Sequence, residues 1–231
     1  MTLVMGRPQR EIFGETVAAL ADTDPRIVVV DGDVGSSTKA DMFEKAHPDR
    51  YLQMGIAEQN MLGVAAGLAT MGLVPFISTF VSFAVVRPLD QVRVLIAQTG
   101  ANVKITPSYG GLFTGQTGMS HIIVDDIAIM RAMPGMVTVV PADDVEAAQA
   151  LRWAAEFEGP CYIRLGRDAT PQEGVSSPTP SGSALPRLPG FPGGERPCHA
   201  PCRPPSRRRW WRDRRSAPAA WRRTWWRSPG G

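Results

Sequence analysis

From the N-terminus to about residue 168, short apolar runs alternate with longer segments whose apolar residues recur every three or four positions. Residues 10–21 carry Phe13, Val17 and Leu20 at helical spacing. Residues 27–30 are Ile-Val-Val-Val with no polar alternation, the pattern of a strand covered on both faces. Residues 38–46 read as a helix stopped by His47-Pro48, because a proline pushes the preceding residue out of the helical region. Further helices are predicted over 57–70, rich in Ala and Gly, over 89–98, and over 143–157, where Val145, Ala148, Leu151 and Trp153 give an apolar stripe. Strands are predicted over 74–77, 103–105, 136–140 and 161–165, and the pairs Asp125-Asp126 and Asp143-Asp144 read as helix caps. Alternating strands and helices predict an α/β fold of three layers, a central parallel sheet with helices on both faces.

That pattern stops near Asp168, and the composition changes with it. Residues 1–170 hold 13 Lys+Arg and 19 Asp+Glu, a formal charge of −6. Residues 171–231 hold 12 basic and 3 acidic residues, a charge of +9, and every base is Arg. The net charge of +3 therefore comes from the tail, so it is no argument that the folded part binds nucleic acid. Five of the six tryptophans lie in this tail among Pro, Gly and Arg, without strand or helix periodicity. The expected organisation is a domain over 1–170 and a disordered C-terminal tail over 171–231. One reading of the tail is a basic aromatic arm that stacks on single-stranded nucleic acid. The favoured one is a shifted reading frame in G+C-rich DNA, because the residue choice follows codons more than folding physics; no specific nucleic-acid partner is expected. An apolar content of 43% suits a globular core. No apolar run is long enough to span a bilayer, the N-terminus lacks a basic head before an apolar stretch, and Cys161, Cys198 and Cys202 form no disulfide framework. The expectation is a cytoplasmic protein without a membrane partner.

The richest chemical segment is Met54-Gly55-Ile56-Ala57-Glu58-Gln59-Asn60-Met61, where a short strand meets the Ala/Gly-rich helix. Alone it reads as a helix start with Glu58 on the positive end of the helix dipole. It is followed by Gly67-Leu68-Ala69, by Pro75-Phe76-Ile77-Ser78-Thr79-Phe80, by Asp90-Gln91-Val92-Arg93, and by Gly118-Met119-Ser120-His121. Asp126-Ile127-Ala128, Val140-Pro141-Ala142-Asp143 and Tyr162-Ile163-Arg164 complete the series. With these motifs in this order, residues 10–168 resemble the pyrimidine-binding domain of the transketolase family, as in the C-terminal subunit of a split transketolase.

The resemblance implies that the domain takes the aminopyrimidine ring of thiamine diphosphate, in an enzyme that moves ketol units between sugar phosphates. Glu58 would hydrogen-bond a ring nitrogen; a carboxyl in an apolar pocket is driven toward its neutral form and can share a proton there. Phe80 and Phe83 would pack on the ring. His121 would face the reacting carbon and bind substrate oxygens, and Arg10 and Ser37 fall near positions that hold a sugar phosphate. The catalytic expectation is thus Glu58 and His121; the cofactor residues are Glu58, Phe80 and Phe83; the substrate residues are Arg10 and Ser37. The chain departs from the family at Val86, where an aromatic is common, at Thr117, where an acid is common, and at Ile122, where a Gln is common. Asp31-Gly32-Asp33-Val34-Gly35 is not the family's Gly-Asp-Gly…Asn diphosphate signature, since Val34 replaces the second glycine. No metal site is assigned to the chain. Magnesium and the diphosphate are expected on a partner, a diphosphate-binding transketolase subunit, in a homodimer or heterotetramer, and the isolated chain is expected to be inactive. A deoxyxylulose-phosphate synthase, a 2-oxoacid dehydrogenase beta subunit and a non-catalytic truncated domain are the alternatives.

Overall fold

The computed structural model describes residues 4–172. Six strands form one wholly parallel sheet, as the alternation predicts. In chain order the elements are α1 (Gln9–Thr23), β1 (Ile27–Asp31), α2 (Gly35–Thr38), α3 (Asp41–Ala46), β2 (Tyr51–Gln53), α4 (Glu58–Thr70) and β3 (Val74–Ser78). They continue as α5 (Val81–Val86), α6 (Leu89–Gln91), β4 (Lys104–Ile105), α7 (Asp126–Arg131), β5 (Val137–Val139), α8 (Asp144–Glu156) and β6 (Cys161–Ile163). The strand order is β2-β1-β3-β4-β6-β5. No helix among the described residues is long and apolar enough to cross a membrane.

The two faces of the sheet bury two separate cores. Val30, Ile77, Ile105 and Tyr162 point to one face, where they meet Met61 and Leu62 of α4, Val81 and Val85 of α5, and Met130 of α7. Val29, Phe76, Cys161 and Ile163 point to the other, against Phe13 and Val17 of α1, Phe43 of α3 and Leu151 of α8. Alternate residues of one strand thus serve opposite cores, and both sets must be apolar. Lys104 breaks the rule in a central strand. It is fully buried, and its ammonium donates to Asn102 Oδ1 (2.6 Å) and to the carbonyls of Phe157 (2.5 Å) and Gly159 (2.9 Å). Burial pushes its pKa down, and these three acceptors offset part of that cost.

Several boundaries differ from the sequence expectation for local reasons. The helix predicted over 38–46 is two short helices, α2 and α3, separated by Lys39 in the left-handed region (φ 69°). Here the chain presses on α1: a Cβ on Gly14 would lie 2.3 Å from the Lys39 carbonyl oxygen, so only glycine permits the approach. The segment 89–98 starts as α6 and widens into a π-helix over Val92–Ala97, which turns Val92, Ile96 and Ala97 inward. Asp143 does cap α8, accepting from Glu146 N at 2.9 Å while Glu146 Oε2 accepts from Ala142 N at 2.9 Å. The pair Asp125-Asp126 does not act as the expected cap: Asp125 makes no side-chain cap bond, and Asp126 is buried in an ion pair described below.

The described chain closes on itself at its ends. Gly6 N donates to Thr170 O and Gln172 N to Val4 O, each at 2.9 Å. Buried Gln9 ties the same corner, donating to Pro141 O (3.0 Å) and accepting from Gly166 N (2.7 Å). Beyond Gln172, the expected tail lies outside the described residues.

Candidate functional site

In a parallel sheet every strand ends at the same edge, and the loops leaving that edge are where open α/β folds place their sites. Glu58 stands there as the first residue of α4, after a turn in which Gly55 takes φ 69°. Its side chain is only 4% exposed. The surroundings are not the purely apolar pocket expected from the sequence. Arg87, just past α5, reaches back and donates from Nη1 to Glu58 Oε1 at 2.6 Å. The same guanidinium lies over the Phe83 ring, its carbon 3.8 Å from the ring centre. Residues 83 and 87 are one helical turn apart, which brings their side chains together.

Phe80 ends the loop after β3 and Phe83 sits one turn into α5. Their ring centres are 5.6 Å apart. His121, from the long loop between β4 and α7, joins them at 5.8 Å from Phe80 and 5.1 Å from Phe83, edge-on to the latter. Its Nδ1 is 2.9 Å from Ser120 Oγ. The structure therefore gathers Phe80, Phe83 and His121 into one aromatic cluster, which Arg87 links to Glu58. Beside Phe83 opens a cavity of about 300 Å³, lined by residues that include Ser82, Val86, Arg87, Met119, Ile123 and Asp125. Ser82 Oγ on its wall and Thr79 Oγ1 nearby in the chain are buried without hydrogen-bond partners among the described residues.

Arg10 and Ser37 also meet, but through the main chain. Arg10 Nη1 donates to Ser37 O (3.2 Å) and to Tyr109 Oη (2.9 Å), and Tyr109 Oη donates to Ser37 O (3.4 Å). Tyr109, absent from the sequence reading, is the hinge of this arrangement. It packs tilted against Phe80 with ring centres 4.3 Å apart, and it adopts φ 72°, a conformation costly for an aromatic residue. Arg10 and Arg167 flank its ring at 5.8 and 5.6 Å. The Arg167 guanidinium is held above its ordinary pKa, first by Tyr109 beside it and also by Asp168. The signal in the sequence was the Gly110-Gly111 pair after Tyr109, which marks a loop needing close backbone approach. A Cβ on Gly110 would fall 2.8 Å from the Arg164 side chain.

Arg164 belongs to a buried network under that loop. Asp126 Oδ2 accepts from Tyr162 Oη (2.6 Å) and from Arg164 Nε (2.8 Å), and Asp126 is fully buried. Burial, with Asp126 beside it, pushes the Tyr162 phenol well above its usual range. At the other end of the site, Asp31 is turned inward. Its Oδ1 accepts from Ser78 Oγ (2.7 Å) and its Oδ2 from Val34 N (3.0 Å), so the Asp31–Gly35 segment acts as a structural turn. Burial raises the Asp31 pKa against the pull of these bonds.

The sequence pattern of the transketolase pyrimidine-binding domain matches residues 7–172. A Methanocaldococcus jannaschii protein described as a transketolase C-terminal section is 43% identical over 161 residues, covering 70% of this chain and 51% of the relative. A 6-deoxy-6-sulfo-D-fructose transketolase subunit from a Clostridium species is 38% identical, covering 68% of this chain and 49% of that protein. Among solved structures, a split gene transketolase in an inactive beta4 tetramer superposes with a TM-score of 0.64 at 45% identity, over 71% of this chain and 52% of that one. The chain spans about half the length of these relatives. Motif order, a parallel sheet with its aromatic–carboxylate edge, and these matches agree: the chain belongs to the transketolase family and carries its pyrimidine-binding domain.

Proposed function

We propose that this chain binds the aminopyrimidine of thiamine diphosphate and serves as the pyrimidine-binding component of a split transketolase, transferring ketol units between sugar phosphates. The observation that carries this reading is a buried carboxylate, Glu58, at the same sheet edge as the Phe80–Phe83–His121 cluster. The residues fit a flat heteroaromatic ring with polar edges: aromatic faces to stack on, a carboxylate for a ring nitrogen, and the unpartnered Ser82 hydroxyl on the wall of the adjoining cavity. When bound, thiamine diphosphate supplies the electron sink for breaking a carbon–carbon bond next to a carbonyl. Glu58 holds or shares a proton at its carboxylate oxygens. Phe80 and Phe83 fix the plane of the ring and exclude water. His121 Nε2 is the polar atom that the cluster offers to substrate oxygens. Arg10, Tyr109 and Arg167 form a cationic corner suited to the phosphate of a sugar substrate.

Asp31 is committed to the turn after β1, so the diphosphate and its magnesium are assigned to a partner, a diphosphate-binding subunit, within a homodimer or heterotetramer. The split-transketolase relatives support this division, and the match to transketolases favours ketol transfer over the synthase and dehydrogenase alternatives. Calorimetry of the full chain, alone and mixed with a diphosphate-binding subunit, tests the reading with thiamine diphosphate and magnesium. Binding and ketol transfer are expected only in the mixture. Ketol transfer by the purified chain alone, or no cofactor binding in a stable mixture, refutes it.

A further inference from the structure

Arg87 makes both contacts that a pyrimidine ring would need. Its guanidinium is planar, lies 3.8 Å from the centre of the Phe83 ring, and donates to Glu58 Oε1 at 2.6 Å. A flat group with hydrogen-bond donors on its edge is also what the aminopyrimidine presents to an aromatic wall and a carboxylate. We propose that Arg87 is a built-in occupant of the pyrimidine seat, a latch that cofactor must displace before Glu58 and Phe83 are free. The inference rests on the pyrimidine-binding reading of those two residues.

Three further observations support it. Glu58 is buried, and without a partner its ionised carboxylate would carry a heavy desolvation cost, so an empty seat needs a cation. Arg87 is itself 43% exposed and leaves the helix end on a long flexible stem, so it can depart without disturbing the core. It also has somewhere to go. It lines two cavities, one with Asp125 on its wall and a larger one with Asp90; Asp90 Oδ1 already accepts from Arg93 (3.0 Å), so Asp125 is the carboxylate that offers a new acceptor. The latch therefore ties cofactor affinity to whatever draws Arg87 away from Glu58.

Competition of this kind reduces apparent affinity by the fraction of chains with an open seat. Calorimetry with thiamine diphosphate and magnesium, on the full chain assembled with a diphosphate-binding subunit, compares wild type, Arg87→Gln, Arg87→Lys and Glu58→Gln. The expected result is binding about 10-fold tighter for Arg87→Gln, an intermediate value for Arg87→Lys, and weaker binding for Glu58→Gln. Measurable wild-type binding with Arg87→Gln equal or weaker overturns the latch and leaves the cofactor reading intact. No binding by any folded variant overturns both. If Arg87→Gln does not fold, the Arg87 Nε–H signal in the NMR spectrum of the wild-type complex answers the question. It shifts on cofactor addition if the latch opens, and a signal that stays in place overturns the proposal.

Discussion

Replacing Asp126 by Ala removes the acceptor at the centre of the network beneath the Tyr109–Gly111 loop. Asp126 Oδ2 serves both Tyr162 Oη at 2.6 Å and Arg164 Nε at 2.8 Å. The variant leaves a guanidinium that is 19% exposed without its counter-charge, and a buried phenol without an acceptor. Breaking one side of a buried ion pair costs about 3–5 kcal/mol, and the partial exposure of Arg164 places the expectation near the lower end of that range. At about 2–4 °C per kcal/mol for a domain of this size, the melting point should fall by roughly 6–12 °C. Tyr162→Phe removes one bond to a charged acceptor and should cost about 1.5–3 kcal/mol. Urea denaturation of wild type, Asp126→Ala, Arg164→Met and the double variant gives the pair's coupling. A coupling of at least about 1 kcal/mol is expected for residues in direct contact. If Asp126→Ala costs less than about 1 kcal/mol, or the double variant is additive, the network is not what holds this loop.

Glu58→Gln should lower ketol transfer in the assembled enzyme by about 10²-fold or more, with assembly unchanged in gel filtration, because an amide cannot share a proton with the ring; near-normal turnover would return Glu58 to a helix-start role. The Cys161 thiol is pushed up to about 11 by complete burial, so native binds more protons than unfolded protein between its ordinary 9 and that value. Stability should therefore fall as pH rises through that window in a chain carrying Cys198→Ser and Cys202→Ser, and the fall should shrink when Cys161→Val is added; identical pH profiles would refute this. In the same double-Ser background Cys161 should resist thiol reagents at pH 8 until the chain is unfolded. Asp143→Ala should cost about 1 kcal/mol through the lost α8 cap, read from the urea midpoint. A chain ended at Gln172 should melt within a few degrees of the full chain, since it contains both cores; a larger drop would show that later residues contribute to stability.

The layers are legible in the pattern of apolar positions, because strands such as Ile27–Asp31 and Val74–Ser78 must be apolar on both faces and helices such as Asp144–Glu156 only on one. The sequence also carried the family, since motif order survives in a linear string, and with it Glu58, Phe80, Phe83, His121, Arg10 and Ser37 as candidates. Tertiary structure alone decided what those residues touch. Arg87 belongs to none of the sequence motifs, and only the approach of α4 to the end of α5 sets it between Glu58 and Phe83. Asp126 reads as a cap because caps are local, whereas its partners, Tyr162 in β6 and Arg164 just past it, lie some 36 to 38 residues away in the chain. The Gly110-Gly111 pair marks a tight loop beside Tyr109 but not what the ring touches, which follows from packing against Phe80 and Arg10. Periodicity and local chemistry act within a turn or two of chain, so the sequence shows them directly. Charge pairing and ring stacking at a sheet edge join residues from separate loops, and only the folded chain brings those loops together.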